Sequence, residues 1–249
     1  MATKINCFIP VQEKNQVIAT VEGLKGSELV SKIYLLATEE YNDAIEGCEI
    51  VKIDSLQSSA TVKKIAELSD AEYSLIYTKY TTLELGYFAL ERMVNLADDS
   101  QASMLYADHY QITDGVKKAS PVIDYQFGSL RDDFNFGSVL FYNAAALKCG
   151  ASRMKQDYQF AGLYDLRLKV AQKGELCHIN EYLYTEIEND NRKSGAKIFD
   201  YVDPKNRGVQ IEMEQACTAH LNAIGALVSA DALQDVSFGE VDFEVEASV

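Results

Sequence analysis

Short apolar runs alternate with segments of helical spacing along the first part of the chain. The apolar runs have the length of buried strands and lie at residues 5–11, 31–37, 49–53 and 73–77. Segments between them, such as the one that begins after Ser58, place apolar side chains three or four positions apart. This alternation predicts an α/β fold, in which a mostly parallel sheet is flanked by helices.

Two of the apolar runs end in polar residues and form the centre of the pattern. The run at 73–77 is followed by Thr78 and two further polar residues, and a later run at 104–110 contains Asp108 near its end. Residues 83–97, between the two runs, have the spacing of a helix. Ligands in open α/β sheets bind outside the carboxyl ends of the strands. We therefore expect a cleft beside these two strand ends.

The middle of the chain has a less regular pattern. Its composition predicts an extended segment at 119–127, strands at 138–142 and 177–187, and a turn of small residues at 144–148.

An amphipathic helix is predicted at residues 160–173. Leu166 and Val170 lie on its apolar face, and Arg167 and Lys169 lie largely on the opposite, polar face.

A further helix is predicted after Asp203-Pro204, because Asp is a good helix cap and Pro suits the first turn. Apolar residues from Val209 to Val228 then recur at helical spacing, so this C-terminal extension must pack on the main domain or on a partner.

Composition narrows the class of protein. The 249 residues carry a formal charge of −15, which argues against nucleic acid as a partner because phosphate binding needs clustered Lys and Arg. No run approaches the ~20 apolar residues of a membrane span, and no signal peptide is visible. The five cysteines have no Cys-x-x-Cys spacing, so we expect free thiols and a cytoplasmic location.

The order of elements resembles the family 2 glycosyltransferases, which have the GT-A fold. The resemblance spans about residues 4–188. It rests on Pro10-Val11, Thr38-Glu39-Glu40, Ala71-Glu72-Tyr73, Leu83-Glu84, Tyr106-Ala107-Asp108, Tyr164-Asp165-Leu166-Arg167-Leu168 and Tyr182-Leu183-Tyr184, in that order. It implies transfer of a sugar from a nucleotide-diphosphate sugar to a glycan or lipid-linked acceptor.

The same resemblance implies where the nucleotide binds. Pro10, Val11, Glu13 and Glu39 stand at the ends of the first two strands, where relatives hold the nucleoside. Carboxylates there would accept hydrogen bonds from the base or the ribose. The alternative is that Glu13 and Glu39 are ordinary surface acids in an acidic chain.

The metal site of the family is missing from this sequence. Relatives end the fourth strand with Asp-x-Asp, which holds Mg²⁺ or Mn²⁺, and the matching positions here are Thr78, Lys79 and Tyr80. We therefore expect no metal ligand set and no cofactor in this chain. Lys79 either neutralises the diphosphate directly or faces solvent.

The catalytic base of the family is also missing. Its Glu-Asp pair is replaced here by Gly162-Leu163, and Leu cannot accept a proton. Asp165 is a remaining catalytic candidate, and the alternative is a structural carboxylate near a helix start, where the helix dipole favours negative charge. Asp108 and His109 form another candidate pair, in which Asp108 orients His109, contacts an acceptor sugar, or caps a turn.

The loop that relatives use for the acceptor contains Arg131, Asp132 and Asp133. These residues are candidates for acceptor binding, and the alternative is a solvated charge cluster.

Two functions stay open at this point. The chain is either an active glycosyltransferase domain or a catalytically silent GT-A-like domain that binds a glycan or partner and supports an active domain elsewhere. We expect a GT-A-like domain at residues 1–190, a helical extension or linker at 191–235, and a tail at 236–249. The last residues, Val245-Glu246-Ala247-Ser248-Val249, resemble the first strand of another such domain, so a second glycosyltransferase domain is expected to follow.

Overall fold

The computed structural model describes residues 4–188, 207–229 and 232. Its strands are β1 (Ile5–Val11), β2 (Val30–Ala37), β3 (Cys48–Lys52), β4 (Tyr73–Tyr77), β5 (Thr82–Leu85), β6 (Met104–Thr113), β7 (Val116–Ser120), β8 (Val139–Asn143) and β9 (Leu176–Ile187). Its helices are α1 (Lys14–Lys25), α2 (Ser59–Leu68), α3 (Ala89–Ser100), α4 (Ala144–Ser152), α5 (Gly162–Ala171) and α6 (Arg207–Ala223). The predicted α/β fold with flanking helices and a C-terminal helical extension is confirmed.

The first half of the sheet is parallel and buried on both faces. Strands β3, β2, β1 and β4 lie side by side in that order, and all three pairings between them are parallel. Every residue of β1 is buried, because one apolar core with α1 and α3 covers one face and a second core with α2, α4 and α5 covers the other. Continuous apolar runs are what such doubly covered strands require.

The second half of the sheet is mixed. Strand β8 lies antiparallel between β4 and β6, and β9 runs parallel to β6 and carries β5 at the edge. Strand β7 folds back on the far end of β6 through Asp114 and Gly115, which have φ angles of 52° and 73°. A two-residue turn with positive φ at both positions matches the twist of a hairpin, and Asp-Gly is a common pair there.

Two local predictions were wrong. The expected helix at residues 83–97 begins instead at Ala89, since Thr82–Leu85 is an edge strand paired with β9. Gly86 ends that strand, because a Cβ atom there would lie 2.8 Å from the main-chain oxygen of Leu183. The expected turn at 144–148 is helix α4, which Asn143 caps by accepting a hydrogen bond from the Ala146 N–H.

The polar face predicted for α5 is also not exposed. Arg167 and Lys169 are only 5% and 8% exposed. Helix α6 and residues 130–137 cover that side of α5, so the helix is buried nearly all round. An amphipathic pattern predicts one buried face, and a second covering element cannot be inferred from it.

Helix α6 packs on α5, as the apolar stripe predicted. Ala216 is fully buried against Tyr164 and Leu168 of α5, and Met213 packs at the margin of the same cluster. The Glu212 carboxylate of α6 accepts hydrogen bonds from three main-chain N–H groups, those of Gln159, Phe160 and Ala161. This carboxylate satisfies free donors at the start of α5, where negative charge is favourable.

The end of the predicted stripe is exposed, since Ile224 and Val228 are 42% and 60% accessible. The predicted helix start at Asp203-Pro204 and the tail at 236–249 lie outside the described residues. Within the described residues, no helix is long and apolar enough to cross a membrane.

Ala216→Asp should destabilise the protein because it would place a carboxylate, without a partner, in the α5–α6 contact. We expect a loss of about 3 kcal/mol or more in the free energy of unfolding, measured by denaturant titration. Gln215→Asp, on the exposed side of the same helix turn, is the matched control and should cost less than about 1 kcal/mol. Equal stabilities of the two variants would contradict the docked position of α6.

Candidate functional site

The predicted nucleoside residues share one edge of the sheet. Pro10 and Val11 are buried at the carboxyl end of β1, and Val11 pairs in register with Ala37 at the end of β2. Glu13 and Glu39 follow these two strand ends and are exposed. The Glu13 side chain makes no capping hydrogen bond to α1, which starts at the next residue. We call this group of four residues the donor edge.

The end of β4 carries Thr78, Lys79 and Tyr80, the residues that the sequence resemblance matches to Asp-x-Asp. The main-chain N–H and the hydroxyl of Thr78 both donate to the main-chain oxygen of Ser138, at 2.9 Å and 3.1 Å. Lys79 Nζ donates to Glu186 Oε2 at 2.5 Å, and Tyr80 is partly buried. A hydroxyl that is already bonded, an ammonium and a phenol do not fit a hard divalent cation. Among the described residues, no group of three or more His, Cys, Asp or Glu side chains is arranged to hold a metal.

Lys79 belongs to a partly buried charge cluster. Its partner Glu186 has only 4% of its side chain exposed and also accepts from Gln111 Nε2 at 3.2 Å. His109 Nε2 lies 3.3 Å from Glu186 Oε1, and the His109 ring stacks on Tyr184 at 4.9 Å. The Lys79 ammonium is 44% exposed and is partly neutralised by its ion pair with Glu186.

Asp108 and His109 have different hydrogen-bond partners, and no hydrogen bond joins them among the described residues, so the geometry does not favour Asp108 as the group that orients His109. Asp108 Oδ1 accepts from the Val122 N–H at 2.8 Å and lies 2.9 Å from His178 Nε2. His178 Nδ1 in turn lies 2.8 Å from Asp124 Oδ1. Successive residues of a strand point to opposite faces, which sends Asp108 and His109 to different partners.

A cavity of about 540 Å³ lies beside the end of β4, between residues 132–137 and the first turns of α5 and α6. We call it the main cavity. Its lining includes Thr78, Leu163 and the predicted acceptor residues Asp132 and Asp133. The third of those predicted residues, Arg131, is exposed and pairs with Asp133 Oδ2 at 2.8 Å.

Gly162 and Leu163 are the positions that the sequence resemblance matches to the Glu-Asp pair of the family, and Gly162 is the one of the two that is closed to a side chain. A Cβ atom on Gly162 would lie 2.4 Å from the main-chain nitrogen of Ser59, so no side chain fits where α5 meets α2. Leu163 faces the main cavity but has no polar atom in its side chain. The rim acids Asp132 and Asp133 are therefore the carboxylates among the lining residues.

Asp165 lies in a different place. It is 2% exposed and lines a second cavity of about 500 Å³ with Arg153 and Tyr158. Its Oδ1 atom lies 3.2 Å from Lys169 Nζ, one helical turn later. Burial raises the pKa of Asp165, and the Lys169 charge opposes that shift. This geometry suits the structural alternative for Asp165.

Arg167 lines the main cavity and was missed as a candidate. Its guanidinium carbon lies 4.8 Å from the ring centre of Tyr164, 5.5 Å from that of Phe136 and 5.8 Å from that of Tyr125. The sequence indicates the contact with Tyr164, because Arg167 follows it by three residues and residues three apart are neighbours on a helix surface.

The sheet order and the helices on both faces define a GT-A-like fold, the fold expected from the sequence. Solved structures of S. aureus TarS, a family 2 glycosyltransferase, share it. TarS 1–349 in complex with UDP-GlcNAc matches 88% of this chain and 72% of its own, with a TM-score of 0.59 and 10% identity. TarS 1–349 in complex with UDP gives the same TM-score, with 9% identity over 88% of this chain and 66% of its own.

The larger TarS structure extends this comparison. It matches 92% of this chain with a TM-score of 0.56 and 9% identity, and this chain spans 44% of its length. No protein-family model matches the sequence, and no curated protein is detectably similar to it. The predicted resemblance is confirmed at the level of the fold, because identities this low carry no residue roles.

Lys79→Met should destabilise the fold because it leaves the Glu186 carboxylate buried without its ion pair. We expect a loss of about 1–3 kcal/mol in the free energy of unfolding, reduced from the value of a fully buried pair because Lys79 is partly exposed. The double variant Lys79→Met/Glu186→Gln should recover at least half of it, since a neutral amide is cheaper to bury. Full stability of Lys79→Met alone would mean that the pair contributes nothing.

Acid should destabilise the protein through His109, whose pKa burial lowers from its ordinary value of 6.5 while Glu186 partly opposes the shift. The unfolded chain then binds a proton that the folded chain does not, so stability is lost as the pH falls below the unfolded pKa. His109→Gln should lose less stability than the wild type between about pH 7.5 and about pH 5.5, by up to about 1.4 kcal/mol per pH unit.

His220 is the matched control for this measurement because burial lowers its pKa too, at a distant position on α6. The effects of replacing His109 and His220 on the pH dependence of the free energy of unfolding should add in the double variant. If the free energy of unfolding has the same pH dependence in the wild type and in His109→Gln, His109 is not the group through which acid destabilises the protein.

Proposed function

We propose that this chain is a glycosyltransferase domain that binds a nucleotide-diphosphate sugar at the donor edge and a glycan or lipid-linked acceptor in the main cavity. The observation that carries the proposal is the match of 88% of the chain to TarS 1–349 in complex with UDP-GlcNAc. The main cavity stands beside the end of β4, at the side of the sheet where ligands of α/β folds bind.

The donor would bind without a divalent metal. Glu13 and Glu39 would accept hydrogen bonds from the base or ribose, beside the buried Pro10 and Val11. Lys79 would face the diphosphate, since an ammonium has three donors and the bond to Glu186 uses one of them. One fixed positive charge would thus take part of the role that a cation has in relatives.

The chemistry would be a direct displacement at the anomeric carbon. The acceptor hydroxyl forms the new glycosidic bond, the bond from the sugar to the diphosphate breaks, and a carboxylate takes the hydroxyl proton. Asp132 is the candidate base, since it lines the main cavity and Asp133 is paired with Arg131.

The second candidate function is a catalytically silent GT-A-like domain that binds a glycan or a partner. Gly162 and Leu163 favour it, because no side chain fits at Gly162 and the Leu163 side chain has no group that accepts a proton. The partial neutralisation of Lys79 by Glu186 also favours it.

Calorimetry with UDP and GDP, with and without Mn²⁺, tests donor binding. We expect UDP to bind and its affinity to change less than about twofold on adding Mn²⁺. Glu39→Gln should weaken UDP binding about tenfold, the effect of one charge-assisted hydrogen bond, and Glu40→Gln, its exposed neighbour, should not. Absence of nucleotide binding would contradict the proposal, and a strict need for Mn²⁺ would contradict its metal-free form.

Hydrolysis of UDP-GlcNAc and transfer to added glycans separate the two candidate functions. An active domain should lose at least about a hundredfold in kcat on Asp132→Asn, with UDP affinity unchanged. Nucleotide binding with no turnover in the wild type would select the silent domain.

A further inference from the structure

Arg167 is a buried cation without a counter-charge among the described residues. The side chain is 5% exposed, and its Nη2 atom donates to the main-chain oxygen of Arg131 at 2.9 Å. The Nη1 atom is buried and has no hydrogen-bond partner. None of the ion pairs among the described residues includes Arg167. A buried guanidinium with an unused donor lowers the stability of the folded protein. An acceptor for this donor is therefore the group to look for.

The surroundings of Arg167 are aromatic. The rings of Tyr125, Phe136 and Tyr164 lie within 6 Å of its guanidinium carbon. Aromatic faces stabilise the cation and hold its plane, but they cannot accept the hydrogen bond that Nη1 has available. The group is therefore positioned and still lacks an anionic oxygen.

Asp132 and Asp133 do not supply this oxygen. Both are exposed at the rim of the main cavity, and Asp133 is paired with Arg131. Carboxylates at a rim suit a ligand that carries hydroxyl donors, while Arg167 suits an anionic group at the inner end. The rest of the lining includes Phe134, Phe136 and Phe160, against which the apolar face of a sugar can pack.

We propose that the main cavity is a site for an acidic sugar, whose carboxylate or phosphate pairs with Arg167. The volume of about 540 Å³ is in the usual range for small-ligand pockets. The need for an anion rests on a guanidinium that lines the main cavity without an ion pair among the described residues, and on its unpaired Nη1 atom. The choice of a sugar as its carrier rests on the proposed function, in which this cavity receives the acceptor.

Titration of the full chain with glucuronate, glucose 6-phosphate, glucose and inorganic phosphate, by ligand-observed NMR, tests the site. We expect at least one of the two acidic sugars to bind tenfold or more tightly than glucose and inorganic phosphate. Which acidic sugar binds distinguishes a carboxylate from a phosphate. Equal binding of glucose and both acidic sugars, or no binding of any of them, would overturn the proposal, and inorganic phosphate binding as tightly would overturn its sugar part.

Two substitutions locate the binding. Arg167→Gln should abolish the preference for the acidic sugar, and Arg167→Lys should retain part of it because the charge remains. Arg153→Gln is the matched control, since Arg153 lines the second cavity and not the main cavity, and donates to Lys169 O and Gln172 Oε1. An unchanged preference in Arg167→Gln would refute the assignment.

Leu163→Trp provides a test that does not depend on the stability of an Arg167 variant. It places a bulky indole ring in the main cavity and leaves the guanidinium in place, so it should strongly weaken binding of the acidic sugar while the melting temperature stays within a few degrees. Retained binding in this variant would place the sugar elsewhere. The UDP titration reports on the donor edge, so failure of that test and failure of this one are distinguishable.

Discussion

The burial of β1 on both faces is the constraint on which the rest of the structure depends. All seven of its residues are buried, and helices from both sides of the sheet supply the two apolar cores that cover it. A strand covered on both faces has to pair along both edges, and β2 and β4 do so in parallel. Parallel pairing sends the carboxyl ends of the three strands to the same edge. The donor edge is a direct consequence of how the core is covered.

The two cations Lys79 and Arg167 differ in how the surrounding protein compensates their charge. Lys79, Glu186 and His109 form a cluster in which a buried carboxylate is compensated by a partly exposed ammonium, so the charges at the end of β4 are partly balanced within the protein. Arg167 is the opposite case, because its guanidinium is positioned by aromatic rings and by Arg131 O but has no anionic partner among the described residues. Of the two cations, Arg167 is the one whose charge is less compensated within the described part of the protein.

The candidate site could be predicted in part from the sequence. The strand ends that carry Pro10, Val11 and Thr78 were located correctly, because runs of buried strand residues end where polar residues begin. The sequence could also have shown that Asp108 and His109 have different partners, since neighbouring residues of a strand face opposite sides of the sheet. The position of Asp165 in the second cavity could not be predicted from the sequence, because it depends on how α5 packs between α4 and α6.

By itself, the sequence determined the order and type of most elements, since hydrophobic period is a local property of the chain. From the residues at 78–80 and 162–163 it also predicted that the metal and base carboxylates of the resembled family are missing. The tertiary structure decided that residues 82–85 form an edge strand, because pairing with β9 outweighs the helical spacing of that segment. It decided, too, that Arg167 is buried, because α6 and residues 130–137 cover a face that the sequence pattern assigns to solvent. Contacts between segments distant in the chain leave no trace in local periodicity, and the main cavity is built from such contacts.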